Sequence, residues 1–154
     1  MKFLVLNGPN LNLLGVREPG IYGAQTYDQL VAFIQDACAQ EGVEVVCRQS
    51  NHEGVLVDLI QGALGSADGI ILNPAAYTHT SVAILDALKS VDLPAVEVHL
   101  SDVNSREEFR RISYPAMACI AQIKGQGFEG YAQAVRLLKA HLLAAQSAAP
   151  EVNR

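Results

Sequence analysis

Phe3-Leu4-Val5-Leu6, followed at once by Asn7-Gly8-Pro9-Asn10, decides the fold of this chain. An unbroken apolar run that stops at turn residues reads as a strand buried on both faces. Such strands belong to parallel sheets covered by helices. Mostly apolar runs recur at 43–47, 69–73, 95–99 and 117–123. Helical patterns lie between them. Thr26 can cap a helix whose stripe is Tyr27, Leu30, Val31, Ile34 and Cys38, ended by Gly42. Leu56, Leu59, Ile60, Ala63 and Leu64 mark a second helix that stops near Gly65, and 81–91 a third. Ser105-Arg106-Glu107-Glu108 fits a capping box opening a short helix. Tyr131, Val135, Leu138 and Leu142 mark the last. The alternation predicts an α/β, flavodoxin-like three-layer sandwich with a five-stranded parallel sheet. One domain is expected over 1–145, with a frayed tail at 146–154.

The chain has 154 residues, half of them hydrophobic and 18% charged, enough for one substantial core. A net charge of −5 argues against nucleic acid, which needs a basic surface. A small anion stays open, because one local Arg overrides the overall sign. Cys38, Cys47 and Cys119 sit in a helical stripe, a strand and an apolar run. They are expected as buried free thiols in a reducing cytoplasm. The first residues reach Asn7-Gly8-Pro9 too soon for a signal peptide. No apolar run approaches the ~20 residues that span a membrane.

In open α/β sheets, ligands bind beyond the carboxyl ends of the strands. Glu97-Val98-His99-Leu100-Ser101 puts an imidazole at such an end. Glu97 and His99, two apart, share a strand face, so the carboxylate can orient the ring. Asn10 and Asn12 follow the first strand. Asn73, Thr78, His79 and Thr80 follow the third. This uncharged polar set suits a small, oxygen-rich ligand. Residues 11–25 are too many for an ordinary βα loop. They carry Gly15, Arg17, Tyr22 and Gly23, and a lid is expected there. Tyr22 can accept a proton only if its pKa falls well below ~10, and a guanidinium such as Arg17 favours the phenolate.

Other chemistries fit less well. Gly125-Gln126-Gly127-Phe128-Glu129-Gly130 has dinucleotide-fingerprint spacing, but no strand follows with an acidic end ~20 positions on. Close strand–helix packing is the reading preferred for these glycines. No clustered Cys/His spacing suggests a metal, and His52, His79, His99 and His141 fall on separate elements. No lysine is expected at an activated strand end, which disfavours a Schiff base.

The chain resembles the type II 3-dehydroquinate dehydratases from Lys2 to about His141. The resemblance rests on several long blocks. They are Asn7-Gly8-Pro9-Asn10-Leu11-Asn12-Leu13-Leu14-Gly15, Arg17-Glu18-Pro19 with Tyr22-Gly23, and Gln49-Ser50-Asn51-His52-Glu53-Gly54. They continue with Asn73-Pro74-Ala75-Ala76-Tyr77-Thr78-His79-Thr80-Ser81, Glu97-Val98-His99-Leu100-Ser101, and Arg106-Glu107-Glu108-Phe109-Arg110. The resemblance implies a cofactor-free hydro-lyase converting 3-dehydroquinate to 3-dehydroshikimate through an enolate. The reaction serves the shikimate route or quinate breakdown. By the same resemblance Tyr22 is the base and Arg17 lowers its pKa. Asn10 holds a water at the enolate, and His99 with Glu97 protonates the leaving hydroxyl. Asn73, His79 and Arg110 would bind ring hydroxyls, and Leu100 and Ser101 the carboxylate. Asp86 would reach a neighbouring subunit's site in trimers that build dodecamers. Asp102 departs from the family's usual Asn, and Asn104 and Ile112 stand where many members have His. Asp102 is expected to point outward, toward the following helix. A flavin mononucleotide module, an inactive scaffold and a lyase for a related polyhydroxy ketone are the rival readings.

Overall fold

Successive strand residues face opposite sides of a sheet, so a run without polar members needs an apolar layer on each side. A computed structural model describes residues 1–16 and 18–148, without the side chains of Pro19 and Tyr22. It places the first run in β1 (Lys2–Asn7). Phe3 and Val5 pack with Leu30, Ile34, Tyr131 and Leu138, whereas Leu4 and Leu6 pack with Leu56, Ile60, Ile84 and Leu88. The first group comes from α2 (Tyr27–Gln40) and α5 (Glu129–Ala148), the second from α3 (Glu53–Gly62) and α4 (Val82–Val91). Two helical layers thus enclose one sheet, as the sequence predicts.

The sheet adds β2 (Glu44–Gln49), β3 (Gly69–Asn73), β4 (Ala95–His99) and β5 (Ala121–Lys124). All pairs are parallel, in the order β2-β1-β3-β4-β5. The chain reverses its direction of winding between β1 and β3. The crevice at such a reversal is where doubly wound folds bind ligands. Asn7 and Asn73 are register partners there, at the carboxyl ends of both strands.

Capping follows the sequence in two places. Thr26 Oγ1 accepts from Gln29 N at 3.2 Å, and Gln29 Oε1 accepts from Thr26 N at 2.9 Å, completing a capping box on α2. Ser81 Oγ accepts from Ile84 N at 3.0 Å and starts α4.

Other expectations are corrected. The strand expected at 117–123 is Ala121–Lys124, because Pro115 opens a 3-10 turn over Pro115–Ala118. The capping box at Ser105 does not form. Its hydroxyl donates to Asp102 O at 2.7 Å, and two 3-10 turns, Val103–Ser105 and Glu108–Arg111, replace the helix. Asp102 is exposed, pointing outward as expected, and its carboxylate accepts from Asn104 N at 3.0 Å, capping a 3-10 turn where a helix was expected. Residues 146–148 belong to α5, and 149–154 lie outside the described residues. Cys38 alone is fully buried, while Cys47 and Cys119 are half-buried; all three are free. Burial pushes these thiols up, to about 11, about 11 and about 12 respectively.

Residues 11–25 are more ordered than a plain loop. They hold a 3-10 turn at Leu11–Leu13 and α1 (Pro19–Tyr22). Leu11 and Leu14 are anchored in the core, while Val16 and Ile21 are exposed. Gly15 has φ +83, and a Cβ on it would lie 3.0 Å from Ala24 O. The two ends of the segment therefore meet at a neck that glycine permits. Gly130 serves the packing inferred for the 125–130 glycines: its Cβ would lie 3.3 Å from Val98.

Candidate active site

The carboxyl ends of β1, β3 and β4 surround a cavity of about 90 Å³. Asn10, Asn73, His79, His99, Leu100, Ser101 and Arg110 all line it, seven of the residues singled out from sequence. Asn10 adopts φ 68, which asparagine tolerates, and its amide donates to Asn51 Oδ1 at 2.9 Å. Gln49 Nε2 braces the same turn through Gly8 O at 3.2 Å and Asn51 Oδ1 at 3.1 Å. Asn12 faces Gln49 instead of the cavity.

Glu97 stands behind His99 and is 0% exposed. Its Oε1 lies 2.5 Å from His99 Nε2. With Nε2 held there, Nδ1 is the ring nitrogen left for a ligand. A buried carboxylate needs partners for its lone pairs. Ser113 Oγ supplies one, 2.7 Å from Oε2 and 3.0 Å from Oε1.

Across the cavity, His79 Nδ1 lies 2.7 Å from Ile112 O. A carbonyl only accepts, so Nδ1 carries the proton and a neutral ring presents Nε2 as an acceptor. Burial lowers the His79 pKa and favours this neutral form. Two guanidinium groups, Arg106 and Arg110, give the cavity local positive charge within an acidic chain. Glu107 fixes Arg110 through Nε at 2.7 Å and lies 3.9 Å from Arg106 Nε.

Asn73 is positioned from below. Its Nδ2 donates to the Tyr131 hydroxyl at 3.2 Å, which donates in turn to Asn7 Oδ1 at 2.6 Å. Asn73 Oδ1 accepts from Ala75 N at 3.1 Å, where Ala75 takes the left-handed φ of 51. Tyr131 lies wholly in the core. Tyr131→Phe leaves two buried amide groups short of a partner. It is expected to reduce stability by about 1–3 kcal/mol and to raise KM more than it lowers kcat. Urea unfolding and steady-state kinetics check the two parts.

Not every expected residue joins the cavity. Asp86 is exposed on α4 and does not line it. Arg17 lies outside the described residues, and so does the side chain of Tyr22, whose backbone ends α1. Lys124 does end a strand, contrary to the reading of the lysines, but its Nζ turns to Asn104 Oδ1 at 3.4 Å. Among the described residues no group of three or more His, Cys, Asp or Glu is placed to hold a metal ion. No described helix is long and apolar enough to cross a membrane.

The family model described as class II dehydroquinase matches residues 1–139. The chain belongs to the class II dehydroquinase family. It is 52% identical over 139 residues to a 3-dehydroquinate dehydratase of Clostridium acetobutylicum, covering 90% of this chain and 96% of that protein. It is 53% identical over 142 residues to the one from Geotalea daltonii, covering 92% and 99%. The crystal structure of a type II dehydroquinase from Butyrivibrio crossotus superposes with a TM-score of 0.88 at 53% identity, covering 90% of this chain and 97% of that one. The five-stranded parallel sheet of this chain is the flavodoxin-like fold that the sequence predicts.

Within that family frame, Arg106, Ser113 and Tyr131 are what the sequence reading missed. Arg106 lies in one of the family-like blocks, and its charge seven positions beyond the end of β4 was the available signal. Ser113 carried none, since a lone serine before Pro115 reads as a turn residue.

Proposed function

We propose that this protein is a 3-dehydroquinate dehydratase that eliminates water through an enolate, with one domain over 1–145 carrying the site. The Glu97–His99 pair opening on the same cavity as Asn73, His79 and Arg110 carries this reading. The reaction removes a proton from the carbon beside a ketone and a hydroxyl from the next carbon. It therefore needs a base, enolate stabilisation and an acid.

In this reading the Tyr22 phenolate takes the carbon-bound proton, and Arg17 holds the phenolate charged. The electron pair moves onto the ketone oxygen, where a water held by Asn10 hydrogen-bonds to the enolate. The enolate then re-forms the ketone, the carbon–oxygen bond breaks, and His99 gives its proton to the departing hydroxyl. Glu97 stabilises the imidazolium beforehand. Asn73, His79 Nε2 and Arg110 receive ring hydroxyls, and Leu100 and Ser101 hold the carboxylate at the end of β4. The neck at Gly15 and Ala24 supports residues 16–23 as a lid that brings Tyr22 over the cavity. Asp86, exposed on α4, suits a contribution to a neighbouring subunit's site in a trimer-based dodecamer. A cytoplasmic place in the shikimate route fits this activity, as does quinate breakdown.

The test is absorbance. The product carries a carbon–carbon double bond conjugated with its ketone, so purified protein added to 3-dehydroquinate should raise ultraviolet absorbance. A flat trace at high enzyme concentration would reject the dehydratase reading.

A further inference from the structure

The segment after Arg111 makes three contacts with the elements that carry the site. Ile112 O holds His79 Nδ1 at 2.7 Å, and Tyr114 N donates to Thr78 O at 3.0 Å. Between them, Ser113 Oγ reaches Glu97, at 2.7 Å from Oε2. Ser113 is itself fixed, because its oxygen accepts from Ala116 N at 3.1 Å in the turn that Pro115 starts. Among the described residues, Glu97 has His99 and Ser113 as its side-chain partners.

We infer that Ser113 is the positioning residue of the His99 acid. It fixes the Glu97 carboxylate and holds Oε1 on His99 Nε2. Glu97 is sealed from water, and a buried carboxylate without a donor to Oε2 takes up a proton or turns toward another donor. Either change withdraws the negative charge that favours the imidazolium. The hydroxyl has one proton, and its shorter contact is to Oε2, the oxygen His99 leaves free. The charged and titratable groups around the pair are His79, Arg106 and Arg110 on the cavity side and Cys119 behind it. Ser113 acts on Glu97 from outside the cavity, so its loss should spare substrate contacts.

This inference rests on the dehydratase reading, in which His99 is the acid. With Ser113→Ala, kcat should fall about 10–100-fold, the range for removing the outer partner of a held imidazole. KM should change less, and the basic limb of the kcat–pH profile should move to lower pH. Ser113→Thr, which keeps the hydroxyl, should restore most of the activity. The nuclear magnetic resonance titration of the His99 ring, recorded without substrate, should have a lower midpoint in Ser113→Ala than in wild type. An unchanged kcat and pH limb would overturn the inference. So would a loss that follows only a lowered Tm and is not rescued by threonine. If wild type fails to turn over 3-dehydroquinate, the dehydratase reading falls, and the ring titration still decides for or against the Ser113 contact.

Discussion

Tyr22→Phe is expected to lower kcat about 10²–10⁴-fold, the usual contribution of a general base, while KM stays within a few-fold. The substitution keeps the aromatic ring and removes one oxygen. A phenol with a pKa near ~10 is scarcely ionised at neutral pH, so the base depends on a neighbouring cation. Arg17 lies five positions earlier on the same segment, and α1 (Pro19–Tyr22) sets the backbone between them. A conjugated-product assay run at substrate saturation measures the loss directly. Activity retained in Tyr22→Phe would move the base elsewhere and leave residues 16–23 as a cover alone. Cooperation between the two residues has its own signature. Arg17→Gln should displace the acidic limb of the pH profile upward, because the phenolate then forms at higher pH.

The second large effect concerns His99, for activity and stability together. His99→Ala removes the acid, with an expected loss in kcat of about 10²–10⁴-fold. It also leaves the Glu97 carboxylate, 0% exposed, with Ser113 as its remaining side-chain partner. Removing one member of a buried pair typically costs about 3–5 kcal/mol, because the other charge stays out of water. The single variant should therefore unfold at much lower urea than wild type. Adding Glu97→Gln to it replaces the stranded charge with a neutral amide, and most of the lost stability should return. Activity should not return, since no acid has been restored. The double-mutant cycle separates the two roles of the pair. Equal stability in the single and double variants would mean that a stranded charge is not what destabilises the single variant.

The sequence and the fold agree wherever burial dictates pattern. β1, β3 and β4 are buried on both faces, and their mostly apolar residues could be read without knowing their neighbours. β5 was misplaced because Met117 and Ala118 extend its apolar run backward into a turn that Pro115 controls. Period-free hydrophobicity cannot tell a strand from a half-buried 3-10 turn. At the site, residues directly after strands were legible, because the sheet geometry gathers every strand end at one edge. Ser113 and Tyr131 were not, since each acts through contacts 16 or 58 positions away in the chain. Those distances are set only when the chain has folded. Asp86 illustrates a further limit, as an exposed carboxylate on a helix carries no pattern of its own.

Gly8 has a consequence for how the site holds its shape. Its amide donates to Asn73 O at 2.8 Å, and a Cβ there would stand 2.6 Å from Pro74 O. The backbone after β1 and the backbone after β3 are thus interlocked at a distance that excludes any side chain. Neither turn can open by itself without breaking the other's bond. The Gly8 amide should then exchange with deuterated solvent only in the openings that part β1 from β3, the slowest class in the molecule. This half of the cavity behaves as a fixed anvil. Adaptation to an arriving molecule is left to the rim outside this interlock, the segment hung on the Gly15 neck and the turns over 103–111.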